Sequence, residues 1–219
     1  MPRALFQKTG SAIYISHLDL MRLFQRAFKR AGLPLTHTHG YNPRPSVSIA
    51  LPLSVGVESY CELLDFDLDG ESLSCDEICH RLNSNLVDGI KVLSVYEDCT
   101  KIKHLAYLDC RVDLEYDAGI PENAKSTIVE LFSRANLTVE KKSKNGNTEQ
   151  DIIPMIRSLQ VETPDSHTLC IFSRVHCQNP TLNPSQLVAA ITRYFPELTP
   201  DFSKCSRLEI YDQQENIFR

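Results

Sequence analysis

The sequence predicts an α+β fold of tandem ferredoxin-like (βαββαβ) halves, with antiparallel sheets and the helices on one face. Three observations predict it. Hydrophobic periodicity over residues 1–100 switches in the order strand, helix, strand, strand, helix, strand. A similar, less regular order follows over residues 101–219, with no sequence repeat between the halves and no low-complexity linker. A chain of 219 residues, 42% hydrophobic and 23% charged, also has the length and composition for two globular domains of about 100 residues each. The expected domains are 1–100, which carries a basic helix and loop, and 101–219.

Residues 4–8 alternate weakly and form the first strand, closed by the turn Thr9-Gly10. Ile13-Tyr14-Ile15 continues as extended chain. Ser16 is the expected N-cap of the first helix. Asp19, three residues on, completes a variant capping box and suits the positive helix end. The helix covers 18–31 and stops at Gly32, with Pro34 beyond. Leu20, Leu23, Phe24, Ala27, Phe28 and Ala31 give it an apolar face, while Asp19, Arg22, Arg26 and Lys29 share another, with Arg30 beside them. Residues 33–44 lead into a loop shaped by Gly40, Pro43 and Pro45. Strands follow at 47–53 and 61–68, the second alternating Leu64, Phe66 and Leu68 with Asp65, Asp67 and Asp69. A helix at 76–86, with Ser74 or Cys75 at its start, and a strand at 90–96 complete the half. In the second half the expected strands are 105–116, 137–142, 168–175 and 206–211, with extended chain at 152–161. Its helices are 121–134, with Pro121 in the first turn, and 184–195. A polar, basic turn spans 141–147.

No apolar run approaches the roughly 20 residues of a membrane span. The first ten residues carry Arg3 and Lys8 and no signal-peptide core, so a cytoplasmic protein without a membrane partner is expected. The eight cysteines, Cys61, Cys75, Cys79, Cys99, Cys110, Cys170, Cys177 and Cys205, include no CxxC pair, and buried free thiols are expected. The net charge of −5 hides a segregation. Residues 1–47 carry seven basic residues and one acid, a net +6, whereas residues 48–99 carry two basic residues and eleven acids, a net −9. Such a split suits one face that attracts polyanions.

The basic segment supplies the chemistry. Arg22, Arg26, Lys29, Arg30 and Arg44 suit phosphate contacts. Tyr14 and Tyr41 offer stacking faces for unpaired bases, and Asn42 beside Tyr41 is a further candidate nucleic-acid-binding residue. His17, His37 and His39, with Arg44, are the candidate acid, base and charge-stabilising groups. The plainer reading is also open: a solvated helix face, or one paired with the acidic stretch 58–77, and structural histidines, His17 hydrogen-bonding locally. Ser16, His17 and Asp19 lie within one turn and cannot form a relay in which the histidine sits between the other two. No P-loop and no GxGxxG motif occurs.

Three pieces carry a family resemblance: KTG at residues 8–10, ISHLDLMRLFQRA at 15–27 and GYNPRPSVSIALPLSVGVES at 40–59. They resemble the radical-SAM-linked protein family, a domain of unknown biochemical function fused to or encoded beside a radical-SAM protein. A looser match at 151–154 and 180–189 extends the resemblance across the chain. It implies a radical-SAM protein as partner and supplies no reaction. The chain lacks the CxxxCxxC cluster signature, since Cys75-x-x-x-Cys79 is followed by His80 and no third cysteine. Neither a cofactor nor a metal is expected in this chain.

Three functions follow from these features. The leading one is an accessory recognition module, without independent catalysis, that binds RNA or another polyanion for a radical-SAM partner. The second is a metal-independent RNA endonuclease, for which the histidines must converge. The third is a protein–protein adaptor without RNA binding.

Overall fold

The computed structural model describes residues 1–70, 73–97, 99–143 and 146–219. The chain divides into two compact units, Met1–Lys103 with Arg219, and His104–Phe218. Mixed α+β architecture with antiparallel pairing runs through both.

In the first unit the order is β1 (Arg3–Lys8), α1 (His17–Arg30), β2 (Val47–Ile49), β3 (Glu58–Phe66), α2 (Cys75–Asn83) and β4 (Ile90–Tyr96). The sheet order is β4-β1-β3-β2, every neighbouring pair antiparallel. Alternation decides which side chains turn inward. Ala4 and Phe6 of β1, Leu64 and Phe66 of β3, and Val92 of β4 join Leu20, Phe24, Ala27 and Phe28 of α1 and Ile78 and Leu82 of α2 in one apolar cluster. Phe24 meets Phe6 edge-on at 4.8 Å between ring centroids, and Phe28 lies 5.0 Å from Phe66. Both helices therefore pack into the same core.

The second unit runs β5 (Leu105–Glu115), α3 (Ala124–Phe132), β6 (Thr138–Ser143), β7 (Gly146–Asp151), β8 (Ile156–Glu162), β9 (Thr168–His176), α4 (Ser185–Tyr194) and β10 (Phe202–Asp212). Its sheet order is β10-β5-β9-β8, also antiparallel, while β6 and β7 pair as a separate hairpin.

Several expected elements differ. Of the stretch 13–15 only Ile15 is extended. Gly10–Tyr14 curls into a 3-10 helix, because the amide of Ala12 donates to Thr9 O at 3.2 Å and the buried Lys8 Nζ donates to Ile13 O at 2.9 Å. The strand expected at 47–53 is only three residues long. Its ladder ends where Pro52 has no N–H to give. The helix expected from Pro121 begins at Ala124, after Asn123 takes φ 60. Pro154 opens a short 3-10 turn, Ile153–Met155, ahead of β8. Within the basic turn at 141–147, Lys144 and Asn145 lie outside the described residues. No described helix is long and apolar enough to cross a membrane. The cysteines are free thiols, five of them buried.

Candidate nucleic-acid interface

Helix α1 presents the basic face as its periodicity requires. Ser16 caps it, its hydroxyl accepting from the Asp19 amide at 3.2 Å and donating to Asp19 Oδ2 at 2.8 Å. Arg22 donates to the same carboxylate at 2.9 Å. The Ser16 hydroxyl, then the Arg22 guanidinium, hold the Asp19 carboxyl below its ordinary range. Arg22, Arg26, Lys29 and Arg30 are all exposed. Arg30 donates to Asn85 O, a neutral acceptor, at 2.6 Å. Among the described residues, none of these four pairs with an acid of the 58–77 stretch. Two of those acids are engaged elsewhere. Asp65 takes a two-pronged contact from Arg3 at 2.5 and 3.1 Å, and Asp67 accepts from Thr36 Oγ1 at 3.1 Å.

The helix ends as glycine allows. Gly32 takes φ +67, and the amide of Leu33 reaches back to Phe28 O at 2.9 Å. The chain is thereby turned back beside the last turns of α1. Leu35 bridges to Leu68, and His37 to Pro45. Above that bridge the Thr38 amide donates to Arg44 O at 2.8 Å and the Arg44 amide to Thr38 Oγ1 at 3.0 Å. The base of the loop is clamped, and its tip stands in solvent. His39, Asn42 and Arg44 are exposed, and Tyr41 has a relative exposure of 102%. An aromatic ring this bare packs against nothing among the described residues.

Between α1 and the loop base lies an open cleft of about 450 Å³. Exposed Pro34 and half-buried Leu35 and Pro45 give it apolar surface over the buried Phe28 and Leu33, and Gln25, Lys29 and His37 supply its polar groups. The structure thus brings Lys29, His37 and the clamped loop carrying His39, Tyr41, Asn42 and Arg44 to one end of α1. His17 is not among them. It is the first residue of the helix, about 18 Å of helical rise from Lys29. Its Nδ1 is buried with no hydrogen-bond partner among the described residues, in place of the local bond expected of it. Tyr14 is exposed at that same N-terminal end.

Sequence reasoning missed Gln25 and the apolar cleft. The available signal was Gly32 followed by Pro34, which forces the reversal that forms it. The net charge of residues 1–47 also includes Arg3 and Lys8, and both are buried and engaged. Among the described residues no group of three or more potential ligands is placed to hold a metal. Burial pushes the Cys75 and Cys79 thiols up, and Cys79 Sγ faces Val92 O at 3.7 Å, so neither is poised as a thiolate.

Residues 2–184 match a family described as uncharacterised proteins conserved in bacteria (DUF2344). The chain belongs to that family. No curated protein matches the DUF2344 chain in sequence. Among solved structures it is similar to a chain of a Cbf5–Nop10–Gar1 complex, with a TM-score of 0.52 and 8% identity over 95% of this chain. It is also similar to a chain of an H/ACA RNP bound to a substrate RNA containing 2′-deoxyuridine, with a TM-score of 0.47 and 8% identity over 94% of this chain. The DUF2344 chain spans about half the length of these neighbours, 48% and 46%. At such identity the first likeness is one of fold.

Proposed function

We propose that this DUF2344 protein is a recognition module that binds single-stranded RNA through the exposed cations of α1 and the 37–45 loop. Both units are read as ferredoxin-like, since each carries its four main strands in the order last, first, third, second. The bound strand is presented to a radical-SAM partner, on the resemblance carried by residues 8–10, 15–27 and 40–59. Chemistry belongs to that partner and its cofactors.

The observation that carries the reading is the pairing of bare Tyr41, on a clamped loop, with Arg26 and Lys29, which are exposed and make no ion pair among the described residues. Cations that track a backbone, with an aromatic face beside them, are what unpaired nucleic acid requires. A nuclease would have to rely on His37, His39 and Arg44 alone, because His17 stands at the far end of α1. The test is titration with single-stranded RNA over a salt series, using wild type, Arg22→Ala/Arg26→Ala/Lys29→Ala and Tyr41→Ala. Binding that weakens steeply with salt, falls in both variants and leaves the RNA intact supports the module. Discrete cleavage would transfer the site to the nuclease reading. Absence of binding at low salt would sink both and leave the protein adaptor.

A further inference from the structure

We infer that the cleft between α1 and the 37–45 loop takes one unpaired base of the bound strand, its edge met by Gln25. The inference rests on the RNA reading above and names what that site reads.

The cleft is chemically divided in the way a base requires. Pro34, Leu35 and Pro45, backed by the buried Phe28 and Leu33, offer apolar surface for a planar ring, which leaves water at a gain whatever its sequence. Its volume of about 450 Å³ falls in the range of roughly 300–1,000 Å³ typical of small-molecule sites. Gln25 adds direction. Its side-chain amide makes no hydrogen bond among the described residues, so both a donor and an acceptor remain available within the lining. A donor beside an acceptor matches the edge of a base, which presents the same alternation. An acyl chain would leave the amide unpaired, and a buried unpaired amide is costly.

Charge selects the rest of the ligand. Lys29 lines the same cleft, and Arg26 sits one turn earlier on the same exposed helix face. A base held in the cleft therefore carries its own phosphates past two cations. Tyr41, at the tip of the loop that forms the opposite wall, is left for the neighbouring base. Basic residues alone bind any polyanion. A cleft with an unpaired amide separates a strand with bases from one without.

The experiment compares a short oligoadenylate with an abasic ribose-phosphate oligomer of the same length, against wild type, Gln25→Trp and Gln25→Leu. Gln25 is half-buried on the helix surface, so the bulky variant fills the cleft without entering the apolar core. Wild type is expected to prefer the base-bearing oligomer by at least about tenfold. Gln25→Trp is expected to erase most of that preference and leave the salt dependence unchanged, because the cations remain. Gln25→Leu is expected to keep part of it, through the ring alone. Equal binding of both oligomers by wild type, or full preference retained by Gln25→Trp, would overturn the inference and leave the RNA reading standing, with the cleft free for a protein side chain. Failure of every oligomer to bind would overturn the RNA reading itself.

Discussion

Lys8 shows how a residue's context reverses its meaning. In sequence it is one of the cations of a basic N-terminal segment. In the fold it is 1% exposed, with its ammonium on Ile13 O at 2.9 Å. Burial pushes that ammonium below the ordinary lysine value, and the charge of nearby Glu62 pulls the other way. Its role is to hold the turn Gly10–Tyr14 that aims the chain at the start of α1. Lys8→Met is expected to lower stability by about 1–3 kcal/mol, because Ile13 O loses its donor and Glu62 a compensating charge; an unchanged urea midpoint would refute this. Tyr116 gives a pH-dependent counterpart in the second unit. It is 4% exposed, its hydroxyl donates to Leu198 O at 2.9 Å, and burial, with the charge of Asp201 adding to it, pushes its pKa up to about 12 from 10.0. A pKa raised on folding means that the native state holds the proton more tightly. The contribution is therefore complete below about pH 10 and is lost as pH climbs toward 12. Tyr116→Phe is expected to be less stable than wild type by about 1 kcal/mol at pH 7. That gap should close in urea titrations carried above pH 10, and a gap independent of pH would contradict the assignment.

Among the elements, those whose signal is local were legible and those set by hydrogen-bond partners were not. Helix α1 was readable because three independent features agree: Ser16 at its start, six apolar residues at helical spacing, and Gly32 at its stop. Strand β4 was readable from Ile90, Val92 and Val95, β-branched residues that follow Gly89. Strand β7, Gly-Asn-Thr-Glu-Gln-Asp, has no apolar alternation at all and exists by pairing with β6. The turn Gly10–Tyr14 is fixed partly by Gly89, whose carbonyl accepts from the Thr9 amide at 2.8 Å. Gly89 takes φ +82, and a Cβ there would strike Thr9 O, which no pattern near residue 9 announces. The cap of α1 tests the local part of the argument. Ser16→Ala removes the acceptor for the Asp19 amide and is expected to cost about 1 kcal/mol, seen as a lower urea midpoint. No change would mean that the packing of Phe24 and Phe28 alone sets where the helix begins.

The candidate site was half legible for the same reason. Its cations stand at fixed helical spacing, so charge and periodicity expose them. The cleft beside them depends on where the chain goes after Gly32, and so was hidden. Charge over the chain as a whole is a poor guide to binding here, since a net −5 predicts repulsion from a polyanion. What decides is the distribution. Arg3 is neutralised by Asp65 and Arg22 is shared with Asp19, which leaves Arg26, Lys29, Arg30 and Arg44 as the cations facing a ligand. Each phosphate neutralised on a single strand contributes about −0.7 to the slope of log K against log salt. Four contacts then give a slope of about −3, and Arg26→Ala/Lys29→Ala should reduce it to about −1.5. The acidic residues of 48–99 do not enter that slope unless they face the strand. A double variant that weakens binding and leaves the slope unchanged would show that these two cations stabilise the loop rather than touch phosphate. A wild-type slope near zero would move the binding energy to the apolar cleft and Tyr41.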